Sequence, residues 1–445
     1  MDDVGSRLLS VWARKRGAIF GMRIGVLRYP VRTTDGLAHY EMVFLDALAE
    51  AASNLDDEIV CLVGPENDFF SLVTQGGLSY RGLPIKPMRD TVFRQEAPEF
   101  YLAPPQAGPE LDPQAVPFDR ESAAAYRKAG VDLVLQLGPY AYPFLARVPF
   151  VMPISDPNHR LQPEFPEVSA LGEYNRREFL YINTCRFATF VLVDSEAGKA
   201  DVLKFYGDQI GEDRIRVLPY YPAVGKKPLP DQHEQARVAA KYRLPKRYFF
   251  YPAQFWRHKN HAAILHAVRI IADETKERVP VVFCGTYADY FRALNFIELR
   301  KLANQLGIAE HVFYLGMVPD EDIPALYALS AGLVMPTFFG PTNLPPLEAW
   351  HYGRPVITSD IRGIREQIGD AGILADPKSP PQLARAMLEL WRNDALGRTL
   401  AERGRKKLEA YSWPAYVKAV ADIVAEASQR VRGGHSPRFP EEGRP

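Results

Sequence analysis

Two stretches of this sequence combine residue types at a spacing suited to a phosphate-bearing ligand. The first, Pro336-Thr337-Phe338-Phe339-Gly340-Pro341-Thr342-Asn343-Leu344-Pro345-Pro346-Leu347-Glu348-Ala349, runs from a strand end through a Gly/Pro/Asn loop into a helix start. Pro345 and Pro346 suit a first helical turn, where the helix needs no backbone N–H. Amides around Asn343, Leu344 and Pro345 would then face whatever lies beyond the carboxyl ends of the strands and favour a diphosphate. Glu348 lies one turn in. A carboxylate there repels phosphate but accepts two hydroxyl hydrogen bonds, which suits a ribose 2′,3′-diol; the alternative is a glutamate that merely complements the helix dipole. The second stretch is Tyr251-Pro252-Ala253-Gln254-Phe255-Trp256-Arg257-His258-Lys259-Asn260-His261, a strand end leading through a basic loop into a helix. Arg257, by bidentate contact, and Lys259, as a point charge, can clamp a pyrophosphate. Read blandly, they are a solvated cation pair.

Other chemistries are less well served. The chain has no G-x-S-x-G, H-E-x-x-H, G-x-G-x-x-G or P-loop sequence, so serine hydrolase, zincin, dinucleotide and ATPase readings lack their usual marks. Asp320-Glu321-Asp322 has the Asp-x-Asp form of a metal site, but it follows Pro319 and precedes a helical pattern, where acidic residues cap a helix. His258, His261 and His266 are close in sequence without a cysteine or carboxylate to complete a zinc set. No metal is expected.

These loops need strands and helices to hold them, and short apolar strands alternate with helical patterns throughout, the signature of doubly wound α/β sheets. Strands are expected over residues 23–27, 58–63, 131–137, 149–154, 190–193 and 216–218, then over 248–252, 281–284, 311–315, 332–335, 355–358 and 372–374. Helices are expected over 37–52, 168–186 and 199–206, then over 262–273, 296–306, 323–330 and 345–352, with two more after Pro380. Pro98, Pro104, Pro105, Pro109, Pro113 and Pro117 crowd one segment, which must be irregular and either shapes an acceptor pocket or is a disordered insertion.

The expected organisation is a dispensable leader over 1–21, a first Rossmann-like domain over 22–222 and a linker over 223–246. A second such domain covers 247–412, a helix over 413–428 packs back on the first, and a disordered Gly/Pro/charge-rich tail fills 429–445. With 445 residues, two domains are the default. The 54 basic and 54 acidic side chains cancel, so no global field draws in nucleic acid or an anionic membrane. Cys61, Cys185 and Cys284 are an odd number without paired spacing, which fits a reducing compartment better than a disulfide scaffold. No apolar run approaches the roughly 20 residues a membrane helix needs.

The segment around Glu348 resembles the signature of family 4 of the retaining GT-B glycosyltransferases, whose pattern reads Glu, seven residues, Glu before a helix. Glu348-Ala349, Gly353 and Pro355-Val356-Ile357 match its second half, while Gly340 stands where the first glutamate belongs. The resemblance implies two Rossmann-like domains facing a cleft, with a nucleotide sugar on the second and an acceptor on the first. It implies that Glu348 binds the donor ribose, that Lys259 meets the donor diphosphate, and that Gln254 takes the place of the family's arginine. Arg257 is a possible compensation for that arginine. Gly285, Thr342, Asn343, Leu344 and Pro345 join these as donor contacts, with Thr342 or Asn343 replacing the missing glutamate.

In the first domain, Gly36 within Thr33-Thr34-Asp35-Gly36 matches a glycine-rich loop near donor and acceptor. Ser155-Asp156-Pro157-Asn158-His159-Arg160 matches a His-Asp segment near the reactive carbon, followed by Pro163-Glu164-Phe165. Asp156 and His159 remain as its polar groups, unless they form only a structural Asp–His hydrogen bond. The implied activity is retaining, metal-independent hexosyl transfer from an NDP-sugar, mannosyl or rhamnosyl first, to a glycan or lipid-linked acceptor. It needs no cofactor, engages no nucleic acid, and sits in the cytoplasm with at most peripheral contact with the membrane. The alternatives are a sugar-nucleotide epimerase and a non-catalytic nucleotide-sugar-binding protein on the same frame.

Overall fold

Four-residue runs such as FVLV at Phe190–Val193, VVFC at Val281–Cys284 and GLVM at Gly332–Met335 are buried along their whole length, as strands of a parallel sheet covered on both faces must be. The computed structural model describes residues 21–27, 36–52, 55–63, 81–82, 111–139, 141–222 and 229–439. Seven strands build a first sheet: β1 (Arg23–Leu27), β2 (Glu58–Val63), β3 (Arg81–Gly82), β4 (Leu133–Gln136), β5 (Phe150–Pro153), β6 (Phe190–Val193) and β7 (Ile215–Val217). Six build a second: β8 (Phe249–Pro252), β9 (Val281–Cys284), β10 (Val312–Tyr314), β11 (Gly332–Met335), β12 (Val356–Ser359) and β13 (Ile373–Ala375).

The orders are β3-β2-β1-β4-β5-β6-β7 and β10-β9-β8-β11-β12-β13, and all pairings are parallel. Each sheet therefore reverses its winding beside its first strand, between β1 and β4 and between β8 and β11. A crevice opens there beyond the strand ends, the usual ligand position in such sheets. The loops after β8 and β11 are the two stretches singled out by chemistry. In the first sheet, Asp156 follows β5 and Asp194 follows β6.

Helix Trp413–Arg432 crosses to the first domain. Its Tyr416, Val420, Ile423 and Val424 share a core with Val43, Phe44, Ala47 and Leu48 of helix Gly36–Ala51. Trp413 Nε1 donates to Glu50 at 2.8 Å, and Arg216 Nε to Glu426 at 3.0 Å.

Several expectations need correction. The tail is ordered well past 429: the helix runs to Arg432, Ser436 Oγ lies 3.1 Å from Thr189 Oγ1, and Phe439 stacks on Phe187 at 5.1 Å between centroids. One aromatic with a surface to cover outweighs a Gly/Pro-rich composition. The linker holds a helix, Gln232–Tyr242, begun by Asp231, which accepts from the Glu234 amide at 2.8 Å. It buries only Val238, so it has almost no apolar stripe to betray it. The helix expected over 168–186 is two, Pro166–Ser169 and Glu173–Phe187, broken where Leu171 and Gly172 take positive φ of 55° and 83°. Helix Arg120–Ala129 was not anticipated. Pro113 and Pro117 lie in irregular chain, as expected, but away from the domain cleft.

Residues 1–20, Thr33 to Asp35, Pro98 to Pro109 and 440–445 lie outside the described residues. Gly36 opens its helix. Among the described residues, no helix is long and apolar enough to cross a membrane.

Candidate functional site

The two crevices face each other across a cavity of about 500 Å³. On the second domain's side it is lined by Gln254, Lys259, Gly285, Thr342, Asn343, Leu344, Pro345 and Glu348; on the first domain's side Asp156, Arg177 and Asp194 face them.

Lys259 is placed by a tight turn. After β8 the chain makes one 3₁₀ turn, Arg257–Lys259, and Asn260 then takes a left-handed conformation, φ 58°, before helix His261–Thr275. The buried Asn260 amide ties this loop to its neighbours, donating to the carbonyls of Pro336 at 2.9 Å and Pro377 at 2.8 Å. Tyr251 in turn donates to the Lys259 carbonyl at 3.0 Å. Burial holds the Lys259 ammonium below the ordinary lysine range, opposed by the Asp156 carboxylate across the cavity.

Arg257 is not its partner in a clamp. It is exposed, pairs with Glu298 at 2.5 Å, and does not line the cavity. At three residues per turn, positions two apart leave in different directions.

Gln254 is fixed by two neighbours that can only donate: Trp256 Nε1 and Arg292 Nη1 both reach its Oε1 at 2.8 Å. Gly285 serves through its lack of a side chain, since a Cβ would lie 2.3 Å from the Ala253 carbonyl oxygen. That close approach brings the β8 and β9 loops together.

The loop after β11 closes on itself. Gly340 has φ 118°, and a Cβ there would meet the Asn343 side chain at 2.9 Å. Asn343 Nδ2 donates to the Gly340 carbonyl at 2.9 Å, while Gln367 grips the Asn343 backbone, accepting from its N–H at 3.0 Å and donating to its carbonyl at 2.7 Å. The expected cradle of amides is thereby reduced. Pro345 and Pro346 have no N–H and the Asn343 amide is taken, so Leu344 alone of that turn has an amide to offer. Glu348, one turn into helix Leu344–His351, accepts from the Tyr327 hydroxyl at 2.8 Å.

Across the cavity, Asp156 Oδ1 accepts from the Asn158 amide at 3.0 Å and from Arg177 at 3.2 Å. His159 turns away from it. Its ring is fully buried between Tyr174 and Tyr181, with Nε2 2.6 Å from Glu178. Burial alone would push the Glu178 carboxyl up, but hydrogen bonds from His159, Arg160 and Tyr206 hold it at about 2. A charge-satisfied cluster thus uses His159 structurally, and its partner is Glu178 rather than Asp156.

Asp194 is not among the residues that the sequence singles out. Ser195 is the cap, accepting from the Gly198 amide at 3.0 Å, while Asp194 Oδ2 accepts from Thr342 across the cleft. Its position at the carboxyl end of β6 was the available signal. Burial pushes its carboxyl up to about 6, against the pull of the Thr342 and Ser195 hydroxyls and with a small push from Asp156. Between pH ~4 and ~6 the folded chain therefore binds more protons than the unfolded one, and this group's contribution falls as pH rises through that window, by up to about 3 kcal/mol. Asp194→Asn is expected to remove that fall, read as melting temperature from pH 4 to 7. Parallel curves for the two proteins would contradict it.

Further contacts fix the domains together. Glu167 accepts from the His258 backbone N–H at 3.0 Å and lies 2.9 Å from its ring Nδ1, Gln162 donates to the Phe338 carbonyl at 2.8 Å, and Phe165 packs on Phe338 at 5.5 Å. Asp320, expected to cap a helix rather than hold a metal, lies on the cavity wall 3.7 Å from His39. Asp322 makes no side-chain cap. It is fully buried and accepts from Arg237 and Lys241 at 2.6 Å and from Tyr242 at 2.7 Å, so it docks the Gln232–Tyr242 helix. Among the described residues, no group of three or more His, Cys, Asp or Glu side chains is placed to hold a metal ion.

Comparison with known proteins agrees with this geometry. Residues 233–407 match the family model of the glycosyl transferases group 1. The chain is similar to the O-antigen chain mannosyltransferase B of Escherichia coli, 28% identical over 51% of this chain and 58% of that one. It is similar also to the serotype-specific mannosyltransferase WbdA of Escherichia coli, 26% identical over 57% of this chain and 31% of that one. The alignments thus span less than two thirds of these relatives. In fold it is similar to Alr3699/HepE of Anabaena, solved in complex with UDP-glucose, with a TM-score of 0.65 over 91% of this chain and 100% of that one at 16% identity. A segment matching the glycosyl transferases group 1, carried on the two Rossmann-like domains of a GT-B frame, supports a glycosyltransferase.

Proposed function

We propose that this chain transfers a hexosyl group from a nucleotide sugar to the hydroxyl of a glycan or lipid-linked acceptor, with retention of anomeric configuration and without a metal ion. The observation that carries the reading is the meeting, in one interdomain cavity, of Lys259 and Glu348 with Asp156 and Asp194 opposite them. A desolvated ammonium and a carboxylate suited to hydroxyls in one cavity are what a nucleoside diphosphate requires. The likeness to HepE, whose solved complex holds UDP-glucose, favours a nucleotide sugar, and the mannosyltransferase relatives favour mannosyl as the first group to test, with rhamnosyl next. A cytoplasmic setting, where nucleotide sugars serve polysaccharide synthesis, is part of the same proposal.

In this reading the donor diphosphate lies against Lys259 and the Leu344 amide, with its ribose hydroxyls on Glu348. The bond from the anomeric carbon to the phosphate oxygen breaks, and the acceptor hydroxyl attacks from the same face. Its proton passes to the departing diphosphate. Lys259 stabilises the charge that develops on that leaving group, an electrostatic effect that costs no reorganisation because the ammonium is already in place. Asp156, held by Arg177, and Asp194, held by Thr342, line the side from which the acceptor arrives and can accept hydrogen bonds from its hydroxyls.

Incubating the chain with a panel of UDP-, GDP-, ADP- and dTDP-sugars tests this. Nucleotide release that depends on an acceptor is expected with at least one donor. An epimerised sugar without release, or binding without turnover, would overturn transfer.

A further inference from the structure

Glu348 is not held by its own helix alone. Tyr327, on helix Ile323–Leu329, is fully buried, and its hydroxyl reaches the Glu348 carboxylate at 2.8 Å, with the Pro345 carbonyl at a longer 3.4 Å. Its ring cannot swing away. Phe250 of β8 meets it edge-on at 5.0 Å and 89°, and Tyr352 stacks on its other side at 5.6 Å and 20°. Tyr352, by contrast, has a buried hydroxyl with no hydrogen-bond partner among the described residues, so it supports the ring of Tyr327 without a second hold on the carboxylate. A phenol has one proton to give, and here a packed core aims it at the carboxylate that faces the cavity. Such a hydrogen bond fixes one carboxylate oxygen and with it the plane in which ligand hydroxyls are met.

We propose that Tyr327 is a positioning residue for nucleotide recognition, presetting the Glu348 carboxylate so that it meets a vicinal diol in one orientation. This rests on the reading of Glu348 as the ribose contact. A neutral donor on a charged acceptor is worth enough to show in affinity, and a preset group spares the ligand the cost of ordering it. The consequence is selective: loss of the hydroxyl should weaken ligands that carry the diol and leave those without it nearly unchanged.

Titration calorimetry with UDP and GDP, and with their 2′,3′-dideoxy forms, tests this on the full chain. For the nucleotide that binds, Tyr327→Phe is expected to weaken the ribose form roughly tenfold and the dideoxy form less than twofold. Tyr327→Met, which keeps the position filled by an adaptable apolar side chain but gives the carboxylate no donor, is expected to show the same selective loss and serves if the first variant does not fold. Equal weakening of both ligand forms in Tyr327→Phe would make the residue a packing element only, and no weakening would remove it from recognition; either overturns the proposal. If Glu348→Gln keeps full preference for the ribose form, the reading of Glu348 fails, and the proposal with it. If Glu348→Gln loses that preference while Tyr327→Phe keeps it, Glu348 stands and only the role of Tyr327 falls. A wild type that binds neither of these nucleotides, nor ADP, leaves Glu348 no vicinal diol to meet and overturns both.

Discussion

Lys259→Ala is expected to lower kcat/KM for glycosyl transfer by about a hundred- to a thousandfold, the usual cost of removing one preorganised group from a developing negative charge. Lys259 stands without a second cation at that spot from its own loop, because Arg257 leaves the same turn outward and pairs with Glu298. The helix start gives little help, with two of its residues prolines and the Asn343 amide given to Gln367. Arg257→Ala should therefore stay within about twofold of wild type, and this contrast separates a specific role for Lys259 from a general loss of positive charge. Steady-state kinetics on both variants decides the matter. Near-normal turnover in Lys259→Ala would defeat the assignment. Because burial holds the ammonium below the ordinary lysine range, wild-type activity should also decline on the alkaline side earlier than a solvated lysine would allow.

Asp322→Ala is expected to destabilise the second domain by about 2–3 kcal/mol, since its fully buried carboxylate accepts charge-assisted hydrogen bonds that alanine cannot replace. Arg237 and Lys241 are partly exposed and can return to water, which keeps the loss below that of a fully enclosed pair. In a domain of this size the melting temperature should fall by roughly 5–10 °C. The pH dependence runs opposite to that of Asp194. Burial would raise the Asp322 carboxyl, but Lys241, Tyr242 and Arg237 hold it below the usual range, so its contribution is present above the unfolded value and is lost as pH falls. Thermal unfolding of the variant at neutral pH is the check, and a change under about 0.5 kcal/mol would contradict it. Transfer measured well below the melting temperature should persist, as it would not if Asp320-Glu321-Asp322 held a catalytic metal.

Apart from the two-residue β3, Arg81–Gly82, where no strand was expected, the sheets were legible in the sequence because parallel strands buried on both faces have to be unbroken apolar runs, as Val281–Cys284 and Gly332–Met335 are. The Gln232–Tyr242 helix was not, because a helix docked through Arg237, Lys241 and Tyr242 onto one buried aspartate shows charge where an apolar stripe would be sought. Within the site, Lys259 and Glu348 were readable from their places beyond β8 and β11, the strands beside the reversal of winding. Arg257 and His159 were misplaced for one reason. Proximity in sequence does not say which way a side chain leaves a tight turn, and their carboxylate partners, Glu298 and Glu178, lie 41 and 19 residues away. Asp194 and Tyr327 were missed because their partners, Thr342 and Glu348, are reached only through the fold.

The central claim is that the cavity between the domains moves a sugar from a nucleotide diphosphate to a hydroxyl. Its most direct test is proton NMR of the reaction with the donor the panel selects, an acceptor and excess EDTA. A new glycosidic anomeric signal is predicted, of the same configuration as the donor and rising in step with free nucleoside diphosphate. An inverted anomeric signal, a reaction that stops with EDTA, or donor sugar altered while still attached to its nucleotide would contradict the account.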